Sequence, residues 1–203
     1  NTPETIPYIL RTLKIFSKST DVHIGPISIG MHFNPYGESL VSNKNKIRLE
    51  MADSDPRHDQ LFSLTWTLAI FIQSINKESK FFTFNSIYGH HGILNKDNTK
   101  RPLYHLNNFI ISLSNSEIYK FNPVNEVYGL KIVLNDKKYY LFVNSSKQKK
   151  EIIIPEINFS NQYKLNLKNY TDIFNNDFSF FNFKKDTNPY AFEPLEIKFI
   201  EDK

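Results

Sequence analysis

The chain contains no cysteine, so neither a disulfide framework nor thiolate catalysis is open to it, and its redox compartment is not readable. Glycine is scarce, at 6 of 203 residues, and neither a GxxxxGK[ST] phosphate loop nor a GxSxG nucleophile elbow occurs. No apolar run approaches the roughly 20 residues that a membrane helix needs, so no membrane partner is expected. The start of the chain lacks the charged, apolar and small-residue succession of a secretion signal. It opens at Asn1, directly on a helix-start pattern, which leads us to expect a piece of a longer protein.

What is present is an ordinary globular composition, 40% hydrophobic and 23% charged. The 18 Phe and 11 Tyr favour strands and aromatic-lined surfaces. The net charge of +4 is mildly basic, but the lysines are interspersed with Asp and Glu. The densest run, Lys147 to Lys150, reads as a solvated turn, so no nucleic-acid partner is expected.

Periodicity divides the chain in two. Residues 2–19 read as a helix, capped by Thr2 with Pro3 behind it, and Ile6, Ile9, Leu10, Leu13 and Phe16 form one stripe. Residues 21–31 read as a strand, apolar on more than one face, as in a parallel sheet covered on both sides. Pro26 inside it implies a bulge. A long connection, 32–54, leads to a second helix opened by Asp55 and Pro56, with Leu61, Leu64, Leu68, Ile72 and Ile75 as its stripe. Trp66 on that helix reads as core. Residues 80–87 form another strand, 88–100 another loop, and Arg101 and Pro102 start a third helix carrying Leu106, Phe109, Ile110 and Leu113. Strands alternating with helices indicate parallel βα units. Two strands do not make a stable parallel sheet alone, so partner strands are expected from elsewhere.

Beyond Ser114 the period changes. Val127–Leu134, Tyr139–Asn144, Glu151–Ile154, Tyr163–Leu167 and Leu195–Ile200 read as strands, with Asn135 and Asp136 as a hairpin turn. Residues 175–185 receive no assignment. The expected organisation is therefore an α/β part over 1–115 and an all-β part, a β-sandwich, over 116–203.

In parallel α/β folds, chemistry gathers in the loops that follow the strands. The first such loop carries His32 and Asn34 at its start and Asp53-Ser54-Asp55-Pro56-Arg57-His58-Asp59 at its end. His32 suits proton transfer near neutral pH. Asn34 either polarises a substrate oxygen or closes an Asx-turn before Pro35. Arg57 either forks onto substrate or pairs with Asp53 or Asp59. Asp55 has a sufficient explanation as a helix cap, and His58 and Asp59 read as helix-start residues. The second loop is Tyr88-Gly89-His90-His91-Gly92. Adjacent histidines lack the i, i+4 spacing of a helical metal pair, and no third ligand stands at a zinc-site distance, so neither metal nor cofactor is expected. One of the two histidines is expected at the mouth of the site and the other in support. His105, one turn into the third helix, reads as a capping or packing residue. Glu38 and Glu50 are the carboxylates of the long loop available to a glycosidase mechanism.

The blocks HIGPISIGMHFNP (23–35), DPRHDQLFSLTWTLA (55–69), YGHHGIL (88–94) and RPLYHL (101–106), followed by KFNPVNEVYGLKIVLNDKKYYLFVNSS (120–146), resemble the C-terminal part of the D-apionate lactonase family. The resemblance implies a glycoside-hydrolase-like (β/α)8 TIM barrel whose last two strands and helices lie in this chain, followed by a C-terminal β-sandwich. It implies opening of D-apionolactone to D-apionate, with a small carbohydrate lactone or sugar acid as ligand. The N-terminal barrel half of the same protein would be the structural partner. In the related glycosidases the seventh strand supplies a nucleophilic Glu; here residues 23–32 contain none, which fits a lactonase better than a retaining glycosidase. His32, His90 and His91 are then the acid/base candidates, with Asn34, Arg57 and Tyr88 as substrate-binding donors. The alternatives are a glycoside hydrolase of plant polysaccharide side chains and a non-catalytic β module that binds carbohydrate or braces the barrel.

Overall fold

The structure, a computed structural model, describes residues 5–16, 22–29, 40–47, 49, 52–75, 79–153, 159–171, 184–185, 188 and 190–202. Helix α1 spans Thr5–Phe16, with Ile6 fully buried and Ile9 packed against the same core. Strands β1 (Val22–Ile24) and β2 (Ser79–Phe82) pair in parallel. Beyond Ile24 the ladder continues irregularly: Thr83 N–H donates to Ile24 O at 2.9 Å, and Ile27 N–H donates to Thr83 O at 2.9 Å. The irregularity expected from Pro26 therefore ends the regular strand early. Gly25 explains the close approach, for its φ is 148° and a Cβ there would lie 2.4 Å from Thr83 O.

Between the two strands comes a single 3-10 turn, Pro56–Asp59, and then helix α2, Leu61–Ser74. Asp55 caps the turn, its carboxylate accepting from Arg57 N–H. The helix expected from Asp55 onward is thus broken at Gln60, which is extended. Every residue of α2 is buried, the hydroxyls of Ser63 and Thr65 bonding back to carbonyls of the preceding turn. A single apolar stripe was the expectation. Instead α2 is central, touching α1, helix α3 (Pro102–Ser112) and the sheet that follows. Trp66 belongs to this core, as expected.

The remainder is antiparallel. Strands β3 (Glu117–Lys120), β4 (Val127–Leu134), β5 (Lys137–Asn144), β7 (Phe159–Leu165), β8 (Lys184–Lys185) and β10 (Ile197–Asp202) form a sheet in the order β3-β4-β5-β10-β7-β8. Strands β6 (Lys150–Glu151) and β9 (Ala191–Phe192) make a separate pair. The β4–β5 turn is Asn135-Asp136, both residues left-handed. Strands β3 and β9 were not expected, because four and two residues are too short for a period-two pattern to stand out.

Alternation sorts the long strands into two faces. Tyr128, Leu130 and Ile132 of β4, Leu141 and Val143 of β5, and Ile197 and Phe199 of β10 join the core built on α2 and α3. Val127, Tyr140, Phe142 and Ile200 on the opposite face pack with Ile152 and Phe192 in a smaller cluster. One core thus runs from the parallel pair through α2 into the β part. Phe109 of α3 meets Phe199 edge-on at 6.4 Å. Aromatics occupy both faces, Tyr139 and Phe199 toward the helices and Tyr140, Phe142 and Phe192 away from them, with Phe121 stacked on Tyr140 and Phe142. No closed barrel is present: the parallel sheet is open and has two strands among the described residues, so the mixed α/β part is a partial one.

Candidate functional site

Parallel pairing sends both connections out of the same end of β1 and β2. In the connection after β1, the described residues 40–47 and 52–54 gather around Asn43, which is buried. Its Nδ2 donates to Ile47 O at 2.6 Å and Ser54 O at 2.9 Å, and its Oδ1 accepts from Ile47 N–H. Asn43 N–H donates to Asp53 Oδ1 at 3.2 Å, and Asp53 N–H donates to Val41 O at 3.1 Å. The polar stretch that reads as open loop in the sequence is a pinned turn with a fixed carboxylate at its exit.

The connection after β2 folds on itself. Ile93 N–H donates to Ser86 O and Leu94 N–H to Ile87 O, both at 2.9 Å, and Gly92 N–H closes onto Gly89 O at 3.0 Å. Gly89 has a φ of 94°, which favours glycine there. His90 and His91 occupy this turn and Tyr88 stands exposed beside it.

Four contacts stitch the two connections together. His58, buried in the 3-10 turn, places Nε2 2.9 Å from Gly92 O. Arg101 donates from one Nη to His90 O at 3.2 Å and Gly92 O at 3.1 Å, and from Nε to Asn95 Oδ1 at 2.8 Å; that Nε also lies 3.0 Å from Asp59 Oδ1. His91 Nδ1 reaches Ile29 O at 3.3 Å. His90 Nε2 lies 3.6 Å from Asp53 Oδ2, with the His90 side chain 54% exposed.

Burial pushes the His58 imidazole below its ordinary value; the bond to Gly92 O opposes this without cancelling it. A neutral ring must therefore donate Nε2–H to the carbonyl. Arg57 is held charged by Asp55, whose carboxylate takes its Nε at 2.9 Å, and its guanidinium lies 5.2 Å from the centre of the Phe62 ring. The expected ion pair of Arg57 with Asp53 or Asp59 is thus corrected to Asp55. The cap carboxylate two residues away reaches the fork first, while Asp59 is taken by Lys46 and Arg101.

Of the candidates from sequence, the structure places His90 and His91 in one turn, with Tyr88 exposed beside it. His32 and Asn34, like Glu38 and Glu50, lie outside the described residues. His58, Asp59, Arg101 and Asp53, which hold the junction, read in the sequence as helix-start or loop residues. For Asp53, His58 and Asp59 the available signal was the charge alternation in DSDPRHD; Arg101 lies outside that run. Among the described residues no three His, Asp or Glu side chains are grouped to hold a metal ion, and no helix is long and apolar enough to cross a membrane.

A family model described as D-apionate lactonase, TIM barrel domain, matches residues 1–115. The D-apionate lactonase of Brucella anthropi is 32% identical over 109 residues, which is 51% of this chain and 18% of that protein. The chain thus spans about a fifth of the length of that curated relative. Among solved structures, a conserved exported protein from Bacteroides fragilis superposes with a TM-score of 0.52 at 8% identity, over 98% of this chain and 42% of the other. At that identity the likeness is one of fold.

Proposed function

The chain belongs, through residues 1–115, to the D-apionate lactonase TIM-barrel family, and on that premise we propose that the full-length protein is a hydrolase that opens a sugar lactone, D-apionolactone first among them. One observation carries the reading: the family match covers both connections that meet at the His90–His91 turn. Neither residues 22–34 nor residues 79–94 contain Asp or Glu, so these two strand-end stretches offer imidazoles and no carboxylate in the place of a retaining glycosidase's nucleophile.

Ring opening needs a base for water and a donor for the developing oxyanion. His90, with an exposed ring, is the base; His91, held against the Ile29 carbonyl, supports the turn. The exposed Tyr88 hydroxyl supplies a donor at the rim, with His32 and Asn34 as further candidates on the first connection. Arg57, its fork filled by Asp55, is left in a structural role. The residues after Ser116 brace the α/β part through the shared core. Barrel strands outside this chain would complete the site.

The test is the full-length polypeptide offered D-apionolactone and, in parallel, a panel of nitrophenyl glycosides. Lactone consumption with stoichiometric acid release is the expected result. Glycoside cleavage without lactone opening would replace this reading with a glycosidase.

A further inference from the structure

We infer that Asp53 is the positioning carboxylate of His90, selecting which ring nitrogen acts as the base; the inference rests on the lactone-opening reading above. The acidic residues of the DSDPRHD segment are otherwise engaged: Asp55 holds Arg57, and Asp59 faces Lys46 and Arg101. Asp53 meets no Lys or Arg among the described residues. Its Oδ1 is fixed by Asn43 N–H at 3.2 Å and its backbone by Val41 O, which directs Oδ2 to Nε2 of His90 at 3.6 Å.

His90 is held just as firmly from the other side. Arg101 bonds its carbonyl, and Arg101 and His58 both bond Gly92 O two residues on. Backbone and carboxylate thus come from different connections, each anchored independently of the imidazole, and the ring remains 54% exposed. At 3.6 Å the carboxylate is within ion-pair reach of Nε2 and just beyond hydrogen-bond length, and the short approach that closes this gap selects the tautomer with its proton on Nε2. The lone pair then lies on Nδ1, the nitrogen left for substrate.

In the step that follows, Nδ1 takes a proton from water as the water oxygen bonds to the lactone carbonyl carbon. The ring becomes an imidazolium facing the Asp53 carboxylate. When the tetrahedral intermediate collapses, the ring C–O bond breaks and the Nδ1 proton passes to the departing alkoxide. One water is consumed, and the ring returns to its starting state.

The experiment uses the full-length polypeptide with 15N-labelled histidine. Imidazole 15N shifts of His90, assigned by comparison with His90→Gln, are expected to show protonated Nε2 and unprotonated Nδ1 at neutral pH. Asp53→Asn, which keeps an acceptor for Asn43 N–H, is expected to mix the tautomers. It should also lower kcat for D-apionolactone at least about tenfold with KM little changed. In a His90→Gln background the same substitution should cost nothing further, because its effect passes through the imidazole. A wild-type His90 protonated at Nδ1 overturns the inference even if Asp53→Asn does not fold, and so does an equal kcat loss with and without His90. A wild type that opens no lactone yet shows the Nε2–H tautomer and its loss in Asp53→Asn would sink the functional reading while leaving the pairing established.

Discussion

The Nε2 of His58 lies 2.9 Å from the carbonyl oxygen of Gly92, joining the 3-10 turn before α2 to the His90–His91 turn across 34 residues of sequence. Burial of this ring favours its neutral form more than the bond favours the charged one, so the site ties stability to pH. The folded pKa lies below the ordinary value of 6.5, so the unfolded chain binds the proton more readily. The contribution of His58 is fully present above pH 6.5 and is lost as pH falls toward the folded value. Thermal melts from pH 8 to pH 5 are expected to fall less steeply in His58→Gln than in wild type. Parallel slopes would show that the ring titrates normally.

Arg101 is the second strap, bonding two backbone carbonyls and Asn95 while facing Asp59. Arg101→Ala leaves Gly92 O with one donor and His90 O with none of its present ones. A loss of about 2–3 kcal/mol in denaturant unfolding is expected. Arg101→Lys should recover only part of it, since an ammonium lacks the planar fork.

Gly25→Ala places a methyl group against Thr83 at a φ that side chains rarely adopt. The substitution should destabilise by about 1–3 kcal/mol, measured by chemical denaturation. An unchanged midpoint would mean that β1 and β2 separate at no cost.

Leu141 is fully buried on the helix-facing side of the antiparallel sheet. Leu141→Ala should cost about 2–5 kcal/mol. Because the core is shared, far-ultraviolet and near-ultraviolet circular dichroism should lose helix and aromatic packing in one coincident transition. Two separate transitions would contradict a common core.

Much of this architecture was legible in residue order. The Asp55 cap with Pro56 behind it, the Asn135-Asp136 turn and the alternation in β4 and β5 are local signals that local structure followed, although the cap opens a 3-10 turn and α2 starts afresh at Leu61. The regular part of β1 was overestimated because apolarity alone does not reveal how Gly25 and Pro26 interrupt a ladder. The full burial of α2 went beyond its expected stripe, because short hydroxyls such as those of Ser63 and Thr65 bond back to backbone carbonyls and so tolerate burial. The turn that carries His90 and His91 was legible, since it is flanked by glycines and follows a strand. Its supports were not, because the links of His58 to Gly92, Asp59 to Arg101 and Asp53 to His90 are long-range contacts that no local spacing encodes.

The claim that the junction of the two connections is a lactone-opening site is tested most directly by His90→Ala in the full-length polypeptide, with initial rates of D-apionolactone ring opening followed by acid release. The account predicts a kcat lower by about a hundredfold, with the fold intact by circular dichroism. A rate within about twofold of wild type, matched by His91→Ala, would contradict it, since the imidazoles at this mouth would then carry no proton in the reaction.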